Sequence, residues 1–303
     1  MNTFSRAASL TLALAFAAGA AQAASFQQQV AADPRGEVDV SNIAGSIVIT
    51  GWDKPSVSVT ADVPSGSQRV KVSGGHGRTL VCVTYHSGGC NASGSSSDED
   101  QSVRLEIYVP SGSEIEASGV SADITSRNVT GHQHLHTVSG DIEADLGSGN
   151  DEVKSVSGDI HLRGSGQDGT LQVSTVSGDL TVTNVAGELE ARTVNGELRA
   201  GLSSARIARL NTTSGGIELN ARLATGGNIE IETVSGREKA DVAAPAGYAY
   251  EASSFSGDID DCFGQKSDHN QYGPGSRLDG TRGAGSGHVR IRSLSGDISL
   301  CDH

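Results

Sequence analysis

The sequence predicts an all-β fold, a single-domain β-solenoid resembling a parallel β-helix, and three observations carry that prediction. One phrase recurs: T-V-S-G-D-I around Gly140, S-V-S-G-D-I around Gly158 and T-V-S-G-D-L around Gly178. Its glycine continues at Gly196, Gly215, Gly236, Gly257 and Gly296, in steps of 18, 20, 18, 19, 21, 21 and 39 residues. A period of about 20 suits two short strands and two turns, one coil of a stack, and is too short for a helix pair. Second, apolar residues alternate on either side of each glycine, as in Leu171 and Val173 before Gly178 and Leu180 and Val182 after it. Strict alternation marks strands with one buried face. Third, the chain holds 40 glycines and only 4% aromatic residues, which fits a thin core of branched side chains between tight turns.

Aligned coils sort residues by face. Leu135, Val138 and Ile142 are expected inside, with Val153, Val156 and Ile160, and Val173, Val176 and Leu180. The break in parity beside each glycine is read as a corner, where glycine supplies a backbone shape other residues resist. A single coil cannot bury its apolar face, so its neighbours must.

In chain order, residues 1–23 read as a secretory leader. Arg6 precedes an apolar run from Leu10 to Ala18, and Ala21-Gln22-Ala23 fits a cleavage site. Residues 24–110 form a less regular β region expected to cap the open end of the stack, with a first coil near Gly36 to Thr50. An acidic loop, N-A-S-G-S-S-S-D-E-D, lies before Val103. Residues 111–303 are the repeats, interrupted by an insertion at 264–287 with loop composition. Cleavage of the leader places the protein in the periplasm or outside the cell, and no later stretch is apolar enough for a stable membrane-spanning helix. The net charge of −14 argues against nucleic acid as a partner.

Four cysteines in an exported chain suggest disulfides. Cys262 and Cys301 each follow their coil's glycine by five residues. Equivalent positions in adjacent coils lie about 4.8 Å apart, within reach of a disulfide. Pairing Cys262 with Cys301 would staple the final coil to its neighbour, if the 39-residue step is one coil carrying an insertion. That leaves Cys82 with Cys90.

Candidate sites are few. His132, His134 and His136 alternate and point to one side, an arrangement open to a metal ion; with Leu135 inward they face solvent, His134 between Glu116 and Glu152, and ordinary charge pairing is the expected reading. Asp141, Asp159, Asp179 and Glu197 share one step after the glycine. Each Asp is expected to serve its own turn by accepting nearby N–H groups, with a bound cation as the alternative. Gly147–Val153 and Gly164–Thr170 resemble single calcium-binding turns, but lie too far apart in sequence to share ions. No nucleophile motif appears, and no catalytic, cofactor-binding or metal-ligating residue is assigned. Tyr248, Tyr250, Phe255, Phe263 and Tyr272 cluster near the C-terminal coils, either packing the end of the core or forming a contact patch.

N-I-A-G-S-I-V-I-T-G-W-D, V-R-L-E-I-Y-V-P and the serial S-G-D-I phrases together resemble the bacterial “putative adhesin” family of exported β-strand-repeat proteins. The resemblance implies a β-solenoid in the cell envelope and brings no catalytic residues with it. The expected function is a non-enzymatic exported interaction or scaffold protein, partnered by an envelope protein or polysaccharide. The alternatives are a polysaccharide-acting enzyme on a β-helix and a cation-stabilised structural protein.

Overall fold

The computed structural model describes residues 24–64, 68–75, 77–85, 102–264, 268–269 and 275–302. Among them every regular element is a strand, and the strands join into one hydrogen-bonded sheet. The first seven are β1 (Ala24–Ala31), β2 (Glu37–Trp52), β3 (Ser56–Val63), β4 (Gln68–Gly75), β5 (Arg78–Tyr85), β6 (Val103–Pro110) and β7 (Glu114–Arg127). The middle coils hold β8 (Gln133–His136), β9 (Ile142–Asp145), β10 (Asn150–Lys154), β11 (Ile160–Arg163), β12 (Asp168–Ser174), β13 (Leu180–Asn195), β14 (Leu198–Ser214) and β15 (Ile217–Ser235). The last are β16 (Glu238–Ala243), β17 (Tyr248–Ser256), β18 (Ile259–Asp261), β19 (Asp268–His269), β20 (Ser276–Arg282), β21 (Gly287–Ser295) and β22 (Ile298–Cys301).

The coils stack in parallel at the predicted period. After the corner, Ile124 pairs with Ile142, Ile142 with Ile160, Ile160 with Leu180, Leu180 with Leu198 and Leu198 with Ile217. Before it, Ala117, Leu135, Val153, Val173, Ala191, Leu210 and Ile231 form a second column in the same register. Both columns are buried and face each other across the core.

The corner departs from the expected side-chain sorting. Val138, Val156 and Val176 are 46%, 45% and 44% exposed, while the preceding Thr137, Ser155 and Thr175 are buried. Alternation therefore runs one residue further than the apolar pattern suggests, and the parity changes across V-S-G-D. At four levels the buried hydroxyl meets a backbone acceptor. The Thr137 hydroxyl donates to the Ala122 carbonyl at 3.0 Å and that of Ser254 to Gly296 at 2.9 Å, with longer contacts from Ser155 and Thr175 to the glycine carbonyl of the coil before. A valine there would leave that carbonyl without this partner.

Glycine at the corner is set by close approach. A Cβ on Gly158, Gly178 or Gly196 would overlap the carbonyl oxygen of the previous coil's glycine, and Gly178 and Gly196 also have φ of +154° and +151°. The same overlap exposes an unexpected order at the C-terminal end. Gly296 abuts Gly236, and Gly257 abuts Gly296. Consistently, β21 lies between β15 and β17, and β22 between β16 and β18, all parallel. The last coil in sequence is thus the second to last in space. The 39-residue step is not one coil with a bulging loop: the chain skips a level, forms β17 and β18, and returns to fill the gap. Within the insertion β20 runs antiparallel along the outer edge of β17, with β19 beside it.

The N-terminal end has a similar plan. Strand β2 is a coil in register with β7 on one side and with β5 and β6 on the other. Beyond it β4 pairs antiparallel with β5, β3 with β6, and β1 with β3. Both ends therefore finish in antiparallel strands, which interrupt the parallel register that another coil would need.

Cys262 and Cys301 form a disulfide across adjacent levels, with Cα atoms 4.9 Å apart. Cys262 N–H donates to the Leu300 carbonyl at 3.1 Å. The Cys82–Cys90 pairing lies outside the described residues, because Cys90 does. Replacing Cys262 and Cys301 together by serine should cost about 2 kcal/mol, read as a lower midpoint in urea under non-reducing conditions; an unchanged midpoint would show that the staple is dispensable.

Candidate functional site

The corner residue that Val138, Val156 and Val176 represent has a counterpart at every level, apolar everywhere except Thr213. Following the pairing, Ile43, Val120, Val138, Val156, Val176, Val194, Thr213, Val234, Leu294 and Phe255 occupy equivalent positions from one end of the stack to the other. Val120, Val194, Val234, Leu294 and Phe255 are between 41% and 56% exposed. Ten levels spaced about 4.8 Å apart give an apolar ladder roughly 40 Å long. Soluble proteins rarely leave apolar side chains in so long a continuous line unless something covers them.

Beside the ladder runs a groove of about 690 Å³. Val176, Val194, Thr213, Val234 and Leu294 form one wall, and Ser174, Arg192, Asn211, Glu232 and Arg292 the other. The floor is the buried hydroxyl column, including Thr175, Thr193, Thr212 and Thr233. Among the described residues no group bonds the hydroxyls of Thr193, Thr212 or Thr233.

On the ladder's other side stands the acidic column, and its role differs from the expected one. Each Asp serves the next coil and not its own turn. Asp123 accepts the Asp141 N–H, Asp141 that of Asp159, Asp159 that of Asp179, and Asp179 that of Glu197, at 2.8 to 3.0 Å. Asp297 does the same for Asp258 at 3.1 Å, which again places the last coil inside its sequence predecessor. These bonds tie levels together at the corner, where the strand ladder is interrupted.

Other predicted sites resolve simply. His134 stands between Glu116 and Glu152 in register, with Nδ1 3.5 Å from Glu152 Oε2. Lys154 also contacts Glu152, whose carboxyl lies below its ordinary pKa chiefly because of that lysine. His132 Nδ1 accepts the Asn150 N–H at 2.9 Å. In the first calcium-like turn Asp151 is buried, accepts the Gln133 N–H at 2.9 Å, and is pushed up in pKa by burial. In the second, Asp168 lies 3.5 Å from Arg206. Among the described residues no group of three or more His, Cys, Asp or Glu is placed to hold a metal. The aromatic residues divide: Tyr248 and Tyr250 are core, Phe263 packs on Tyr250 at 5.9 Å, and Phe255 joins the ladder. Tyr272 lies outside the described residues.

One unusual residue escaped sequence reading. Glu238 is fully buried where other levels carry Ile217, Ile298 and Ile259. Burial raises its pKa to about 7, opposed by the Ser293 hydroxyl and reinforced by the Asp297 carboxylate. Neither carboxyl oxygen has a hydrogen bond of full geometry. The signal was present: in V-S-G-R-E-K-A, a charged residue stands where the repeat demands Ile or Leu.

No curated protein matches the chain in sequence. Among solved structures it is similar to a “putative adhesin” from Bacteroides fragilis, at 11% identity and a TM-score of 0.37, covering 92% of this chain and 97% of that one. It is also similar to a “putative adhesin” from Parabacteroides distasonis, at 12% identity and a TM-score of 0.32, with 93% and 98% covered. A “putative lipid binding protein” from the same organism matches at 10% identity and a TM-score of 0.34, with 92% and 96% covered. The profile of one family spans nearly the whole repeat, residues 37–301, and the chain belongs to that family, Toastrack DUF4097.

Proposed function

We propose that this chain is a non-enzymatic, exported interaction or scaffold protein of the cell envelope, built on a β-solenoid. The exposed apolar ladder carries the reading: the stack holds a contact strip that is apolar at nine of its ten levels. The leader-like residues 1–23 support export, and among the described residues no helix is long and apolar enough to cross a membrane. The acids of the Asp column are used to bond neighbouring coils, which supports a structural use of the densest acidic column. Its partner would be an envelope protein or a polysaccharide.

The test is sedimentation of the mature protein with isolated sacculi and envelope polysaccharides, with both fractions analysed. Co-sedimentation with intact polymer is the expected result. Release of soluble fragments would overturn the non-enzymatic reading and favour an enzyme.

A further inference from the structure

The two columns flanking the ladder carry opposite charges at four levels, and at the others at least one side is uncharged or a histidine. Two residues before the eight ladder positions from Val138 to Phe255 stand His136, Lys154, Ser174, Arg192, Asn211, Glu232, Arg292 and Ser253, with uncharged Ser41 and Ser118 at the first two levels. Three residues after those eight stand Asp141, Asp159, Asp179, Glu197, Gly216, Arg237, Asp297 and Asp258. Within one level these give His136 with Asp141, Lys154 with Asp159, Arg192 with Glu197 and Arg292 with Asp297. Where the first column turns acidic at Glu232, the second turns basic at Arg237. Where the first is neutral at Asn211, the second is Gly216. No level places like charges on both sides. The ion pairs within the chain do not cross the ladder: Arg192 contacts Glu190, Arg199 contacts Glu197, and Arg292 lies 3.5 Å from Glu232 of the neighbouring level.

We propose that a second copy of this chain covers the ladder, side by side, parallel and in register, about a two-fold axis running along the stack. Such an axis keeps each residue at its own level and exchanges left for right. The column before the ladder in one copy then meets the column after it in the other. Arg192 faces the partner copy's Glu197, and the inverted level matches as well as the ordinary ones. An axis across the stack would instead set each column against itself, Arg192 toward the basic column of the other copy. The shape agrees, because ladder and groove lie next to each other. The ridge of one copy enters the groove of the other over the threonine hydroxyls, and the exchange is reciprocal, as an isologous interface requires. A strip about 40 Å long and five residues wide covers roughly 650 Å², near the roughly 800 Å² per partner of a standard interface.

This rests on the reading of the ladder as an interaction face, and the experiment separates the two. Sedimentation equilibrium of the mature protein should give a dimer. Val194→Asp, an exposed position whose variant keeps its circular dichroism, should raise the dimer Kd by about a hundredfold, since it buries an unpaired charge. Arg192→Glu should raise it by about tenfold or more through like-charge contact with Glu197, and Arg192→Glu with Glu197→Arg should bring it back. Val138→Cys and Leu294→Cys, six levels apart on the ladder, should each crosslink to their own kind under oxidation, and a mixture should not yield the mixed species preferentially. A monomer at all concentrations overturns the second copy, as does preferential crosslinking of Val138→Cys with Leu294→Cys. If the protein is monomeric and Val194→Asp abolishes sacculus binding, the ladder takes an envelope partner: the second copy fails and the broader function stands. If the dimer survives every ladder variant, the interface lies elsewhere and this assignment is wrong.

Discussion

Replacing Glu238 with glutamine should flatten the pH dependence of stability, and replacing it with isoleucine should raise the melting temperature at about pH 8. The carboxyl is buried in the isoleucine column with a pKa near 7 against an ordinary 4.5. Its folded-state value exceeds the unfolded one, so across that interval the native protein holds a proton that the unfolded chain releases. Stability from this group is complete below the unfolded value and falls as pH rises through 7. The loss amounts to about 3 kcal/mol by linkage. Thermal unfolding of the wild type, Glu238→Gln and Glu238→Ile at about pH 5 and pH 8 measures it. Parallel pH profiles for wild type and Glu238→Gln would show that the carboxyl is not the group responsible, and the histidines would then be the next to replace.

The second large effect is at Gly296. A Cβ there would overlap the Gly236 carbonyl oxygen, while Gly296's own carbonyl abuts Gly257 and accepts the Ser254 hydroxyl. All of these atoms belong to packed backbone or to the corner, so none can move aside cheaply. Gly296→Ala should cost about 4 kcal/mol, and chemical denaturation should show it. Gly226 is the control. It has φ +72° and open space around its Cβ position, so Gly226→Asn, a residue that tolerates this region, should lose less than about 1 kcal/mol. Equal losses at the two sites would mean that backbone conformation, and not crowding between coils, sets the requirement for glycine.

The period, the strand faces away from the corner and the outward histidines were all legible in the sequence, because alternation reports burial directly. The corner was not. In T-V-S-G two adjacent residues compete for the inside, and hydrophobicity alone chooses valine. At Thr137, Ser155, Thr175 and Ser254 the buried hydroxyl bonds a carbonyl of a neighbouring coil, a fact of backbone geometry with no compositional trace, while Thr193, Thr212 and Thr233 keep the same inward place without that bond. That one inversion hid the ladder, and with it the candidate site. The Asp column was read correctly as a bonding device but assigned to the wrong strand, since repeats leave the same spacing within a turn and between levels. The order of the last coils was hidden because a period assumes that neighbours in sequence are neighbours in space. The cysteines gave no hint either, because Cys262 and Cys301 belong to touching levels in both orders.

That displaced last coil has a bearing on how the molecule is made. A chain emerging from its N-terminus could zip up level after level, but here one slot between β15 and β17 stays vacant until residues 287–302 arrive. That coil is a keystone, and the stack cannot close before residues 287–302 have been made. Its oxidation is a seal applied afterwards, because Cys301 meets Cys262 only when the slot is filled. An unfilled copy displays two unpaired parallel edges. Removing residues 287–302 therefore does more than shorten the stack by a level; it leaves a gap with a finished piece stranded beyond it.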